Sequence, residues 1–142
     1  MIANANDVEL QILGQHGPTS QFKLLMGTTR SQRDKLAAAN VMGSLFIMDL
    51  AADGTNIPHN HPREEEIYYV LRGAGDMVAG VDADGNDLRH PATQGEAFCL
   101  LPGTRVGFYS GAKQGEPHVI ILAVRSYLPP PPGDRDPGIR NR

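Results

Sequence analysis

His59 and His61 stand one residue apart, Glu66 follows after four more residues, and Gly73 after a further six. Alternate side chains of an extended strand share a face, so the imidazoles of His59-Asn60-His61 project to the same side. A carboxylate arriving from the next strand would close a three-point site. Imidazole and carboxylate are the ligand types of zinc and of non-haem iron, and two His with one carboxylate leave positions open for water or substrate. The stretch points to a metal centre and names no reaction.

The elements that must position these residues read as short strands. Residues 21–26, 44–50, 66–71, 76–81, 96–101, 106–109 and 119–124 are apolar or alternating runs. Between them stand Ala52-Asp53-Gly54-Thr55, Arg72-Gly73-Ala74-Gly75, Asp82-Ala83-Asp84-Gly85-Asn86, Pro102-Gly103 and Ser110-Gly111, whose Gly, Asp and Asn tolerate the dihedrals of tight turns. Many short strands at close spacing predict an all-β sandwich or barrel. One stretch interrupts the pattern. Ser31 can cap a turn with Asp34, and residues 35–39 carry helix-forming Lys, Leu and Ala before Asn40, so a short helix or a turn is expected there. The proline-rich tail over 129–142 cannot join a sheet, because proline donates no ladder hydrogen bond.

A chain of 142 residues makes one ordinary domain. A formal net charge of -3, a pI near 5.9 and the lack of a basic block argue against nucleic acid as a partner. The run Val119-Ile120-Ile121-Leu122-Ala123-Val124 is too short to span a bilayer, so no membrane role is expected. The first seven residues lack a basic segment followed by an apolar one, which leads to the expectation of a cytoplasmic product. Cys99 is the single cysteine and sits within Phe98-Cys99-Leu100-Leu101, so it is expected to be a small buried hydrophobe.

From about Asp53 to Val124 the chain resembles the cupins. Their first motif runs glycine, five residues, His-x-His, three or four residues, Glu, six residues, glycine. His59-Asn60-His61, Glu66 and Gly73 keep these spacings, while Gly54 lies one residue closer to His59 than the pattern asks. The resemblance implies a double-stranded β-helix, a jelly-roll-like barrel in a single domain, with His59, His61 and Glu66 as metal ligands. Glu65 also satisfies the first spacing, but only Glu66 gives six residues to Gly73. The barrel is expected over 44–128, preceded by strand segments and the short helix or turn over 1–43.

The second motif departs from the family. Its pattern is glycine, five residues, Pro-x-Gly, two residues, His, three residues, Asn. Counting from Gly95, Leu101 replaces the proline, Pro102-Gly103 keep the turn, Val106 replaces the histidine and Ser110 the asparagine. That histidine is usually the fourth ligand, and valine cannot coordinate a metal. The site has three ligands at most, which still suffice for one divalent ion, Fe, Mn, Ni or Zn. Val106 is compatible both with an open catalytic coordination sphere and with a decayed site.

Alternation names the surroundings. With Glu66 facing inward, Tyr68 and Val70 follow; with Val106 in the lost ligand's place, Phe108 follows, and these four are expected to line the cavity. Tyr68 is a candidate catalytic acid or substrate anchor, against the plainer reading of a packed tyrosine. His118 is a candidate base or substitute ligand if its strand runs beside the His pair, and otherwise a strand-end histidine. Glu64 and Glu65 are expected in a solvated turn, and His16 and His90 at the surface, each beside turn residues. Phe46, Met48, Phe98 and Leu100 are expected to fill the core.

The functional expectation is a metal-dependent pocket acting on a small organic molecule, with oxygenase-type chemistry the most compatible with two His and one Glu. The alternative is a non-catalytic ligand-binding or sensing module with a weakened or vestigial metal site. Open sheet edges, and the habit of many single-domain cupins, lead to the expectation of a homodimer.

Overall fold

The structure, a computed structural model, describes residues 2–14, 16–39 and 42–127. After a single 3-10 turn at Ala5–Asp7, the strands are β1 (Ser20–Thr28), β2 (Leu36–Ala39), β3 (Met42–Leu50), β4 (Thr55–Asn60) and β5 (Glu64–Arg72), then β6 (Ala74–Val81), β7 (Asp87–Thr93), β8 (Ala97–Leu100), β9 (Arg105–Ser110) and β10 (Val119–Tyr127). A six-stranded sheet has the order β2-β1-β3-β10-β5-β8, and a four-stranded sheet the order β4-β9-β6-β7. This is the all-β sandwich that the strand pattern predicted, in the jelly-roll-like form that the resemblance implied.

Period-2 alternation sends one face of each strand into the space between the sheets. The larger sheet contributes Phe46, Met48 and Leu50 from β3, Tyr68 and Val70 from β5, and Val119, Ile121 and Ala123 from β10, all buried. Met77, Val106 and Phe108 answer them from the smaller sheet, each 2% exposed or less. Burying an aliphatic or aromatic side chain of this size stabilises the fold by about 1.5–3 kcal/mol. Leu100 belongs to this core and Phe98 packs against it.

Two local expectations are corrected. Ser31 and Asp34 do close a turn, with the Asp34 N–H donating to Ser31 Oγ at 3.2 Å. Residues 35–39 then form no helix: β2 lies parallel to β1, pairing Met26 with Leu36 and Gly27 with Ala37. Five residues are too few to nucleate an isolated helix, whereas the edge of β1 offers backbone partners at once. Asn40 lies outside the described residues, as does the 129–142 tail.

The second correction concerns Cys99, which is exposed. On β8 it pairs with Ile67, itself 49% exposed, while Leu100 pairs with Glu66 on the inner face. Parity within the strand, which an apolar run does not reveal, turns the thiol outward. A strand absent from the predicted runs is β7, formed by the polar stretch around His90-Pro91 at the edge of the smaller sheet, where proline is tolerated. The break proposed between residues 43 and 44 falls inside β3, and β1 and β2 are part of the larger sheet.

Candidate metal centre

β4 is the outer strand of the smaller sheet and β5 lies within the larger one, so the turn between them carries the chain across the gap. Asn56 pairs with Phe108 and His59 with Val106, with a register shift between them. The extra residue of this bulge turns both Asn56 and His59 inward, although three positions apart they would otherwise face opposite ways. His61 follows β4 directly. Its carbonyl oxygen accepts from Gly103 N–H at 2.8 Å, and Asn60 Nδ2 donates to the Gly103 carbonyl at 2.9 Å. The Pro102-Gly103 turn, the part of the second motif that survives, holds the backbone of the first.

His59, His61 and Glu66 offer ligand atoms that all lie within 4.8 Å of one another. The Nε2 atoms of His59 and His61 are 2.8 Å apart. Their opposite nitrogens are already engaged: His59 Nδ1 is 2.6 Å from the Ile57 carbonyl, and His61 Nδ1 is 2.8 Å from Glu64 Oε2. The Ile57 carbonyl accepts and cannot donate, so the His59 proton sits on Nδ1 and its Nε2 lone pair faces His61, while the Glu64 carboxylate beside His61 Nδ1 favours the proton on that nitrogen too. Only a cation between them, a proton or a metal ion, makes that approach favourable. Two nitrogens at about 2.1 Å from one tetrahedral ion lie about 3.4 Å apart, so an ion between them asks the rings to part by about half an ångström. Glu66 Oε2 is buried with no hydrogen-bond partner, a further donor awaiting a cation. The three residues fit a divalent metal ion.

The electrostatics agree. Burial raises the Glu66 carboxyl above its ordinary range, with His61 and Arg125 opposing, and burial lowers the His59 imidazole, with the Ile57 carbonyl opposing. Arg125, paired with Glu66 across β10 and β5, sets its Nε 3.3 Å from Glu64 Oε2 and 3.9 Å from Glu66 Oε1. One of its terminal nitrogens is 3.5 Å from His61 Nε2. Asn56 Nδ2 donates to the Tyr68 hydroxyl at 2.8 Å. Tyr68 is fully buried, and burial pushes its phenol well above the ordinary value.

A cavity of about 280 Å³ opens from this cluster, bounded by His59, Glu66, Tyr68 and Arg125 at one end and by Ser31 and Asp34 at the other. Of the residues expected to line it, Tyr68 does. Val70, Val106 and Phe108 face inward but belong to the packed core and do not border the cavity. His118 stands apart: half exposed, its Nδ1 lies 2.5 Å from Asp49 Oδ1, on the face of β3 opposite buried Met48 and Leu50.

Four contributors were not anticipated from the sequence. Glu64 is 4% exposed rather than solvated, bound to His61 and Arg125. It shares strand parity with Glu66, and that signal was present. Arg125 continues the inward parity of Val119, Ile121 and Ala123 beyond the end of the apolar run. Asn56 is brought in by the bulge. His16 is half-buried in the cavity wall, 5.1 Å from Phe22 and 6.5 Å from His59 between ring centres, and burial lowers its imidazole. Nothing local marks it. His90 is exposed, as expected.

The family described as "Cupin" matches residues 18–130 of the chain. The Germin-like protein subfamily 2 member 4 of Arabidopsis thaliana is 33% identical over 103 residues, covering 71% of this chain and 46% of the relative. The chain therefore spans about half the length of such curated relatives. Among solved structures, KdgF from Halomonas sp. superposes with a TM-score of 0.66 at 17% identity, covering 91% of this chain and 94% of that one. A protein described as a predicted oxalate decarboxylase from Thermotoga maritima gives 0.65 at 19%, covering 90% and 100%. At these identities the structural likeness speaks for the fold alone.

Proposed function

The chain belongs to the cupin family, and within it we propose that this protein binds one divalent metal ion through His59, His61 and Glu66 and acts on a small organic molecule in the adjoining cavity. The observation that carries this reading is the convergence of the three ligand atoms within 4.8 Å, with the two imidazole Nε2 atoms 2.8 Å apart. Iron, manganese, nickel and zinc all suit the donor set. Such an ion supplies Lewis acidity and, if redox-active, electrons for oxidative chemistry, which is the leading reaction class.

The chain's own residues supply the rest. The Ile57 carbonyl and Glu64 fix the tautomer and orientation of the two imidazoles. Tyr68, kept as a neutral phenol, is a donor at the cavity wall. Arg125 offsets part of the charge of Glu64 and Glu66. Phe22 and Phe46 face the cavity and exclude water from it.

Arg125 also favours a second reading. Its guanidinium already places one positive charge beside both carboxylates, so a ligand-binding module could persist without metal. Elemental analysis of the purified protein, then anaerobic reconstitution with Fe(II) and O2-uptake measurements on small phenols, diketones and thiols, separates the two. Metal occupancy with turnover supports the enzyme; ligand affinity without metal or turnover supports the module.

We further propose a homodimer. The outer face of β5 and β8 exposes Ile67, Tyr69, Leu71 and Leu101, each 39% or more, beside the open edge of β8. Light scattering at micromolar concentration giving the 15.3 kDa mass of a single chain would exclude it.

A further inference from the structure

The end of the cavity away from the imidazoles carries polar atoms that nothing in the metal site employs. Arg125, Ser44 and Gly27 lie in one row across the larger sheet, since β10 pairs Arg125 with Ser44 and β1 pairs Gly27 with Ser44. Ser44 is 6% exposed, lines the cavity, and its hydroxyl has no hydrogen-bond partner. Asp34 reaches over Gly27, where a Cβ would collide with its carboxylate. Its Oδ2 accepts from Ser31 Oγ, while Oδ1 is buried and unbonded. Two buried polar atoms without partners, on residues that line one cavity, cost about 1–3 kcal/mol each unless a ligand that reaches them completes them.

We propose that Ser44 and Asp34 form a second polar subsite, which accepts a hydroxyl or amino donor from an organic acid whose carboxylate sits against Arg125. The acid end rests on the metal reading above: a divalent ion with Arg125 and Arg33 exceeds the charge of Glu64, Glu66 and Asp34 by one, which a monoanion neutralises. The donor end rests on Ser44 and Asp34 alone. β10 and β1 stand two strand spacings apart, about 10 Å, so with side-chain reach subtracted the acid and donor are about 6–8 Å apart in the ligand. Phe22 and Phe46, with ring centres 6.2 Å apart and planes inclined at 49°, flank the path and suit a flat ring. The ligand class is a small hydroxy- or amino-substituted, preferably aromatic, carboxylic acid.

The test compares benzoate with 4-hydroxybenzoate by calorimetry on Zn(II)-loaded protein whose metal content is measured in the same sample. The hydroxyl is expected to tighten binding about tenfold, and that advantage to vanish in Ser44→Ala and Asp34→Ala with zinc stoichiometry unchanged. If the chain holds zinc but does not discriminate, or if the advantage survives in both variants, the subsite is overturned and the metal reading stands. If no zinc binds, the metal reading fails. The metal-free chain is then titrated with toluene and 4-methylphenol, where a preference for the phenol that Ser44→Ala removes keeps the subsite and equal affinity overturns it. Should either variant fail to fold, a crystal structure of the wild-type complex with 4-hydroxybenzoate decides, by whether the phenol oxygen contacts Asp34 and Ser44.

Discussion

His61 Nδ1 and Glu64 Oε2 lie 2.8 Å apart, and this contact decides what His61 presents to the cavity. A neutral imidazole has one N–H. With that proton drawn toward the Glu64 carboxylate, Nε2 is left bare toward His59 Nε2, whose own proton is held by the Ile57 carbonyl. Glu64 is therefore a positioning residue for a ligand rather than a ligand itself.

Replacing His61 with alanine should abolish stoichiometric metal binding. Glu64→Gln should weaken it about 10- to 100-fold, the usual effect of losing a carboxylate behind a ligating imidazole. Titration calorimetry with Zn(II) or Mn(II) reads both changes. Equal affinity in wild type and His61→Ala would remove His61 from the ligand set.

Val106 stands opposite His59 across β4 and β9 and is 2% exposed. Val106→His should tighten metal binding at least about tenfold by adding a fourth donor. The larger ring in a packed position should cost about 1–3 kcal/mol of stability in the metal-free protein. Competition against a chelating dye and a thermal melt of the same sample check the two effects. Unchanged affinity would show that this position does not face the ion.

Gly75 and Gly85 separate two reasons for glycine. A Cβ at Gly75 would collide with the Tyr109 carbonyl and the Phe108 ring, whereas at Gly85, with φ +84°, it would meet nothing within 4 Å. Gly75→Ala should cost about 2–4 kcal/mol, because backbone and core must move. Gly85→Ala should cost about 1–2 kcal/mol, for the left-handed conformation alone. Urea denaturation measures both, and equal losses would contradict the tight β6–β9 approach.

Cys99 should react with DTNB in the folded protein at one thiol per chain, as fast as in urea to within about tenfold, since exposure governs access. A thiol that reacts only after unfolding would place Cys99 back in the core. A thiol masked at high protein concentration and uncovered on dilution would place β8 in the dimer contact.

The candidate metal ligands were legible because they are local. His59, His61 and Glu66 fall within one strand-turn-strand, where spacing and parity largely determine which side chains converge. The loss of the fourth donor at Val106 was equally plain, as was the all-β architecture, since alternation and turn residues are written along the chain. Glu64 was also readable by parity, but its charge made a solvated turn the natural expectation, and only its pairing with His61 and Arg125 makes burial favourable.

Tertiary structure decided the rest. Arg125 meets Glu66, and Ser44 meets Arg125, through strand registers between segments far apart in sequence, and no local pattern encodes such a register. The same holds for His16, packed on Phe22, and for residues 35–39, whose alanines allow a helix until the edge of β1 offers hydrogen bonds. The sequence by itself determined which donors could hold an ion. The packing of two sheets decided which charges surround that ion and what shape of ligand can lie beside it, because those contacts exist only once the distant strands have paired.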